Sequence, residues 1–219
     1  MIKKKIFSLL ACTLVTVVFA QNTRATLSKT INSLYSDIEN KCGKDFKLLD
    51  EKYKAILEKS PDRNLSKADE AEYSKQFNGL KHSYADCQNK SQPQKIEKLK
   101  SLLEQVESEN KAVSEIKNNT SSSATQSFSP DIIRKELVNI FSGNDLFQNL
   151  DAPLKLTFTF VLDKDGIIKD IKVMGTDNEE IKLFAVLKFY SIQKVFLPEM
   201  ENGVAVRKRF NQSLTFAVQ

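Results

Sequence analysis

Few residues in this chain are of types that do chemistry. There are three cysteines, Cys12, Cys42 and Cys87, and one histidine, His82. With no Cys-x-x-Cys and a single imidazole, a zinc site is poorly supplied. A Ser-His-Asp arrangement would have to recruit His82 from a charge-rich helical stretch, where a lone histidine is ordinarily solvated. Asp163-Lys164-Asp165-Gly166 has the look of a calcium loop. An EF-hand needs a further acidic ligand two positions before Asp163, and that position is Val161. The expectation is therefore no catalytic residue, no metal and no cofactor. Two chemical capacities remain: cysteine pairing, and the backbone hydrogen bonding of a sheet edge.

Whether Cys42 and Cys87 pair depends on the compartment. Lys3, Lys4 and Lys5 precede an apolar run from Ile6 to Ala20, with Val18-Phe19-Ala20 at its exit. A positive start, an apolar middle and small exit residues make a secretory signal peptide, cleaved here after Ala20. Fifteen apolar-run residues fall short of the ~20 that cross a bilayer, so stable membrane anchoring is not expected. The competing readings are an uncleaved inner-membrane anchor and a lipoprotein signal at Leu9-Leu10-Ala11-Cys12. Cleavage removes three lysines and no acid, so the net charge of +5 becomes +2. A mildly basic exported chain gives little reason to expect nucleic acid. In an oxidising periplasmic or extracellular setting, the remaining even pair of cysteines predicts a disulfide.

Residues 21–117 read as helical. Leu27, Ile31, Leu34 and Ile38 form a stripe at helical spacing, continued by Phe46, Leu49, Tyr53 and Ile56. Pro61 interrupts it, Ser66 caps the next helix with Asp69 and Glu70 in its first turn, and Tyr73, Phe77, Leu80 and Tyr84 carry the stripe on to about Cys87. The midpoint of the two cysteines falls in the proposed turn, so an antiparallel hairpin sets them at one height. Ser91-Gln92-Pro93 is expected to start a third helix, where Ile96, Leu99, Leu103, Val106, Asn110 and Val113 make a heptad seam. That seam either packs on the hairpin or forms a homodimer through residues 96–113. With under three heptads, the first is favoured.

Asn118 to Ser129 is dominated by Ser, Thr and Asn and reads as a flexible linker. Residues 130–219 then form a separate domain. Ile133, Leu137, Ile140 and Phe141 share one face of a short helix. Leu154, Leu156, Phe158, Phe160 and Leu162 alternate with Lys155, Thr157, Thr159, Val161 and Asp163, which puts five apolar side chains on one face of a strand. Asp163 to Gly166 turns it into a second strand, with Ile167, Ile171 and Val173 on one side and Ile168, Asp170, Lys172 and Met174 on the other. Asp177 is the expected cap of a lid helix from Ile181 to about Gln193, with Glu180 completing a capping box. Asn202-Gly203 turns the chain into a long last strand in which Val204, Val206, Phe210, Leu214, Phe216 and Val218 share a parity. Arg207, Arg209, Asn211, Ser213 and Thr215 take the other, giving the sheet a polar, partly basic face. The fold class is α+β: a helical amino-terminal region, then a small domain with a three-stranded antiparallel sheet covered by helices.

From about Asp131 to Val218 this order resembles the carboxyl-terminal domain of TonB, the periplasmic energy transducer. The resemblance rests on Phe158-Thr159-Phe160-Val161-Leu162-Asp163-Lys164-Asp165-Gly166 followed by Ile168-Lys169-Asp170-Ile171-Lys172-Val173. It rests also on Phe196-Leu197-Pro198-Glu199-Met200-Glu201-Asn202-Gly203-Val204-Ala205-Val206. The chain departs from the family at Phe196, where tryptophan is usual, and at Glu199, where alanine is usual. It lacks the Tyr-Pro…Ala motif before the first strand and the Pro-rich spacer upstream. The resemblance implies a non-enzymatic periplasmic binding protein of the cell envelope that works in transmembrane transport. Its last strand would add an extended segment of a protein partner, an outer-membrane receptor. The partner-binding residues are then Val204, Val206, Arg207, Arg209, Phe210, Asn211 and Ser213. The alternative is a structural or regulatory envelope protein that reuses the fold and interacts through its helical half.

Overall fold

The computed structural model describes residues 26–116, 126–142, 144–148, 150–192 and 196–217. The expected signal peptide and most of the Ser/Thr/Asn-rich stretch lie outside these residues. Among the described residues no helix is long and apolar enough to cross a membrane. The chain packs as two units, one of residues 31–97 and one drawn from 1–30 and 98–219.

The chain from residue 26 to residue 116 is helical. Helix α1 (residues 26–42) ends at Gly43, and α2 (Lys44–Lys59) follows at once. The single stripe expected from Leu27 to Ile56 is thus cut. A Cβ at Gly43 would lie 2.9 Å from the Glu39 carbonyl oxygen, which is what glycine spares this junction. After the turn at Ser60–Ser66 comes α3 (Lys67–Ile116). Ser66 accepts from the Asp69 N–H at 3.1 Å, as expected of its N-cap. Rings from α2 and α3 interlock edge to face: Phe46 on Phe77 at 5.1 Å, Tyr53 on Tyr73 at 5.0 Å. Cys42 and Cys87 are disulfide-bonded, with Cα atoms 5.5 Å apart. Closing the loop between them, a sequence separation of 45, contributes about 4 kcal/mol on the chain-entropy model.

A third helix starting at Ser91 does not exist as a separate element, because α3 runs unbroken through Pro93. Proline there costs one ladder hydrogen bond and a local clash. Ser91, Lys95 and Leu99, on one face around it, are 6, 7 and 0 % exposed, and Lys95 lies over the Tyr35 ring. Burial on both sides of the proline holds the helix together. Leu99 and Val106 of the heptad seam are buried within the single chain.

The second unit is built on a sheet. Strands β2 (Leu154–Leu162), β3 (Ile168–Met174) and β7 (Lys208–Phe216) are ordered β3-β2-β7, antiparallel throughout. Phenylalanines fill its apolar face. Phe158 and Phe160 of β2 meet Phe189 at 5.5 and 4.9 Å, and Phe141, Phe147 and Phe216 close the opposite end. Helix α4 (Pro130–Phe141) buries Ile133, Leu137 and Phe141, and the single turn α5 (Asp145–Gln148) brings in Phe147. Helix α6 (Glu179–Tyr190) is more than the expected lid. Every residue from Leu183 to Tyr190 is buried, so it lies in the interior. Its N-cap is Asn178 rather than Asp177: the Asn178 side chain accepts from Ile181 N–H at 3.2 Å.

Strict alternation along β3 fails at one residue. Asp170 takes φ +52°, and the register with β2 slips there. This bulge puts Ile168, with Ile171 and Val173, on the core side, where alternation would have turned it outward. The Ile171 N–H points to the Tyr190 hydroxyl, a long 3.4 Å bond from α6.

Candidate functional site: the β7 edge

Nine consecutive residues of β7 pair with β2, from Lys208↔Leu162 to Phe216↔Leu154. No other strand pairs with β7 among the described residues, so it forms one border of the sheet. The other border strand, β3, is packed against α6. Along β7 the side chains of Lys208, Arg209, Asn211, Ser213 and Thr215 are exposed. A border strand presents a row of backbone donors and acceptors, which is what strand addition uses.

The residues expected on this edge separate into four places. Val204 and Val206 belong to a different strand, β6 (Val204–Val206), which folds back on β5 (Glu199–Glu201) through Asn202 and Gly203. Both turn residues have positive φ, +51° and +78°, as a two-residue hairpin turn requires. The long last strand expected from Val204 is therefore two strands parted at Arg207. Arg207 itself is engaged: its guanidinium lies 2.9 Å from Asp170 and 3.4 Å from Asp163. Phe210 faces the core, stacked 5.8 Å from Phe160.

Arg209, Asn211 and Ser213 do lie together on the open polar face. The Thr159 hydroxyl donates to the Asn211 side-chain amide oxygen Oδ1 at 2.8 Å, and the Thr157 and Ser213 hydroxyls share a hydrogen bond at 3.0 Å. These cross-strand pairs hold β7 in register with β2 and leave its outer backbone edge uninvolved.

Where β2 turns into β3, a compact ionic group fixes the end of the sheet. Lys169, 6 % exposed, reaches Asp163 at 2.7 Å and Asp165 at 3.1 Å. Burial pushes the Asp163 carboxyl up. The Lys169 hydrogen bond, the Lys164 N–H and the charges of Lys169 and Arg207 outweigh it and leave the group below the usual carboxylate range. Sequence spacing missed this cluster because the bulge at Asp170 moves Lys169 to the face where the aspartates sit.

Beyond the sheet, an open groove on the helical unit is lined by Leu48, Leu49, Leu80 and Gly79. Among the described residues no group of three or more His, Cys, Asp or Glu is placed to hold a metal ion. Compared with known proteins, the chain matches no family model, no curated protein and no solved structure.

Proposed function

We propose that this chain is a non-enzymatic binding protein of the bacterial envelope, similar to the TonB carboxyl-terminal domain, which takes an extended segment of an outer-membrane receptor along β7. The observation that carries the reading is a nine-residue border strand paired, among the described residues, on one side only. Main-chain bonds along that edge supply the affinity, and Arg209, Asn211 and Ser213 select among partner side chains. A cleaved signal peptide places the protein in the periplasm.

Affinity capture from envelope extract tests it, with proline variants of β7 as controls. Arg209→Pro and Gln212→Pro have opposite parity, so one removes an outward donor and the other a bond to β2. The variant that keeps its circular dichroism spectrum and melting temperature is the informative one. It should lose the captured receptor, and retention at wild-type level rejects the edge as the site.

A second reading, an envelope protein that interacts through its helical half, draws on the groove beside α2. Leu48 is 54 % exposed there, and the space beside Gly79 is open. Leu48→Glu should abolish capture under this reading and leave it unchanged under the first.

A further inference from the structure

Phe128 is the one aromatic residue between Tyr84 and Phe141. It falls in the stretch expected to be linker, yet its ring sits among three others. The centroids are 4.2 Å from Phe210, 5.4 Å from Phe196 and 6.0 Å from Phe160. Phe196 and Phe160 are 0 and 1 % exposed. Immediately before it, strand β1 (Gln126–Ser127) runs parallel to β4 (Phe196–Leu197), in the register Gln126↔Phe196 and Ser127↔Leu197. A two-residue ladder is much shorter than the ~5–6 residues typical of a strand. The Phe128 ring, more than the ladder, therefore holds the segment.

Extended backbone on a β edge, followed by a side chain in a fitted pocket, is the way a sheet takes up a peptide. We infer that residues 126–128 are an internal occupant of such a slot, formed by β4 and the rings of Phe160, Phe196 and Phe210. The slot accepts in trans an extended protein segment that carries an aromatic residue after two small or polar ones, as in Gln126-Ser127-Phe128. While the chain's own segment is seated, the slot is closed. This site lies on β4 and on the core-facing rings of β2 and β7, apart from the outer backbone edge of β7, and does not depend on that edge being used.

A tethered occupant acts at an effective concentration on the order of mM, so a free peptide at tens of micromolar barely competes with it. The probe is a labelled synthetic peptide of residues 123–131, beside a second peptide with alanine in place of its phenylalanine. The protein is the full mature chain, wild type and Phe128→Ala. The variant should bind the phenylalanine peptide at least about tenfold more tightly than wild type does, and should not bind the alanine peptide. Equal binding of both peptides, or of neither, by a folded variant overturns the inference. Hydrogen exchange on the wild-type chain gives an answer that does not depend on the variant folding. Amides of residues 126–128 should exchange at least about a hundredfold faster than those of β2, since the segment opens without global unfolding. Protection equal to that of β2 would make Phe128 an ordinary core residue and sink the idea.

Discussion

The Phe196 N–H donates to the Gly166 carbonyl at 2.9 Å, and a Cβ on Gly166 would lie only 1.7 Å from the Phe196 carbonyl oxygen. The turn between β2 and β3 and the start of β4 are thus packed backbone on backbone. Gly166 also has φ +75°, a conformation other residues adopt at a cost. Gly166→Ala combines strain with a backbone clash that no rotamer relieves. It should destabilise the protein by on the order of 3 kcal/mol, read from chemical denaturation. A loss under 1 kcal/mol would mean that the turn shifts freely, against the packing described here.

The ionic group beside that turn predicts how the protein answers to acid. Asp163 lies below its ordinary value of 3.8 in the folded state, so it binds fewer protons there than in the unfolded chain. Its contribution is present above that ordinary value and is lost as pH falls through the lower folded value. Lys169→Met removes the hydrogen bond and charge that hold the carboxyl down, and leaves burial to push it up. Stability at neutral pH should fall by roughly 2 kcal/mol, and the acid limb of a stability–pH curve should move to higher pH. An unmoved limb would show that the Lys164 N–H and Arg207 set the group without Lys169.

Lys188 predicts a slope of the same sign at the alkaline end. Its ammonium, 4 % exposed, donates to Ser28 at 3.0 Å and lies 5.5 Å from the Phe184 ring centroid. Burial lowers it from the ordinary 10.5, so above the folded value the unfolded chain binds more protons. Stability therefore rises with pH from that folded value up to about the ordinary one. Lys188→Met keeps the volume and removes the titrating group, so it should flatten that rise, measured by melting temperature across alkaline buffers.

How far these features could be read beforehand depends on the range of the forces behind them. From Leu154 to Phe160 apolar and polar residues alternate, so β2 and its buried face were legible from period; Val161, apolar and also buried, breaks the pattern. Ser66 as a cap, and Cys42 and Cys87 set about one turn, were legible for the same reason: each is a local rule or simple length arithmetic. Pro93 inside α3 was not, because burial of Ser91, Lys95 and Leu99 overrides a local breaker. Nor was the bulge at Asp170, where one residue in left-handed conformation resets the parity of Ile168 and Lys169. Phe128 was hidden by its neighbours, since a single ring among serines and threonines carries no period. At the candidate edge, the polar parity of Arg209, Asn211 and Ser213 was plain. The separation of Val204 and Val206 into β6 followed from pairing with β5, which a shared parity cannot reveal.

That separation changes how charge should be tested at the β7 edge. Arg207 holds Asp163 and Asp170, so reversing it disturbs the turn as well as any partner contact. Arg209 is exposed and stands opposite Val161, which makes Arg209→Glu the cleaner substitution. It leaves every backbone donor of β7 in place. If partners dock by backbone pairing, this change should weaken capture no more than about fivefold, corresponding to an exposed charge contact of up to ~1 kcal/mol. The effect should shrink as salt is raised from 0.01 to 0.15 M, where the screening length falls from about 30 to 8 Å. A proline that removes an outward donor should abolish capture at either salt. Were Arg209→Glu to abolish capture while the folded proline variant retained it, recognition would be electrostatic. The partner would then lie across the polar face of the sheet and not along its edge.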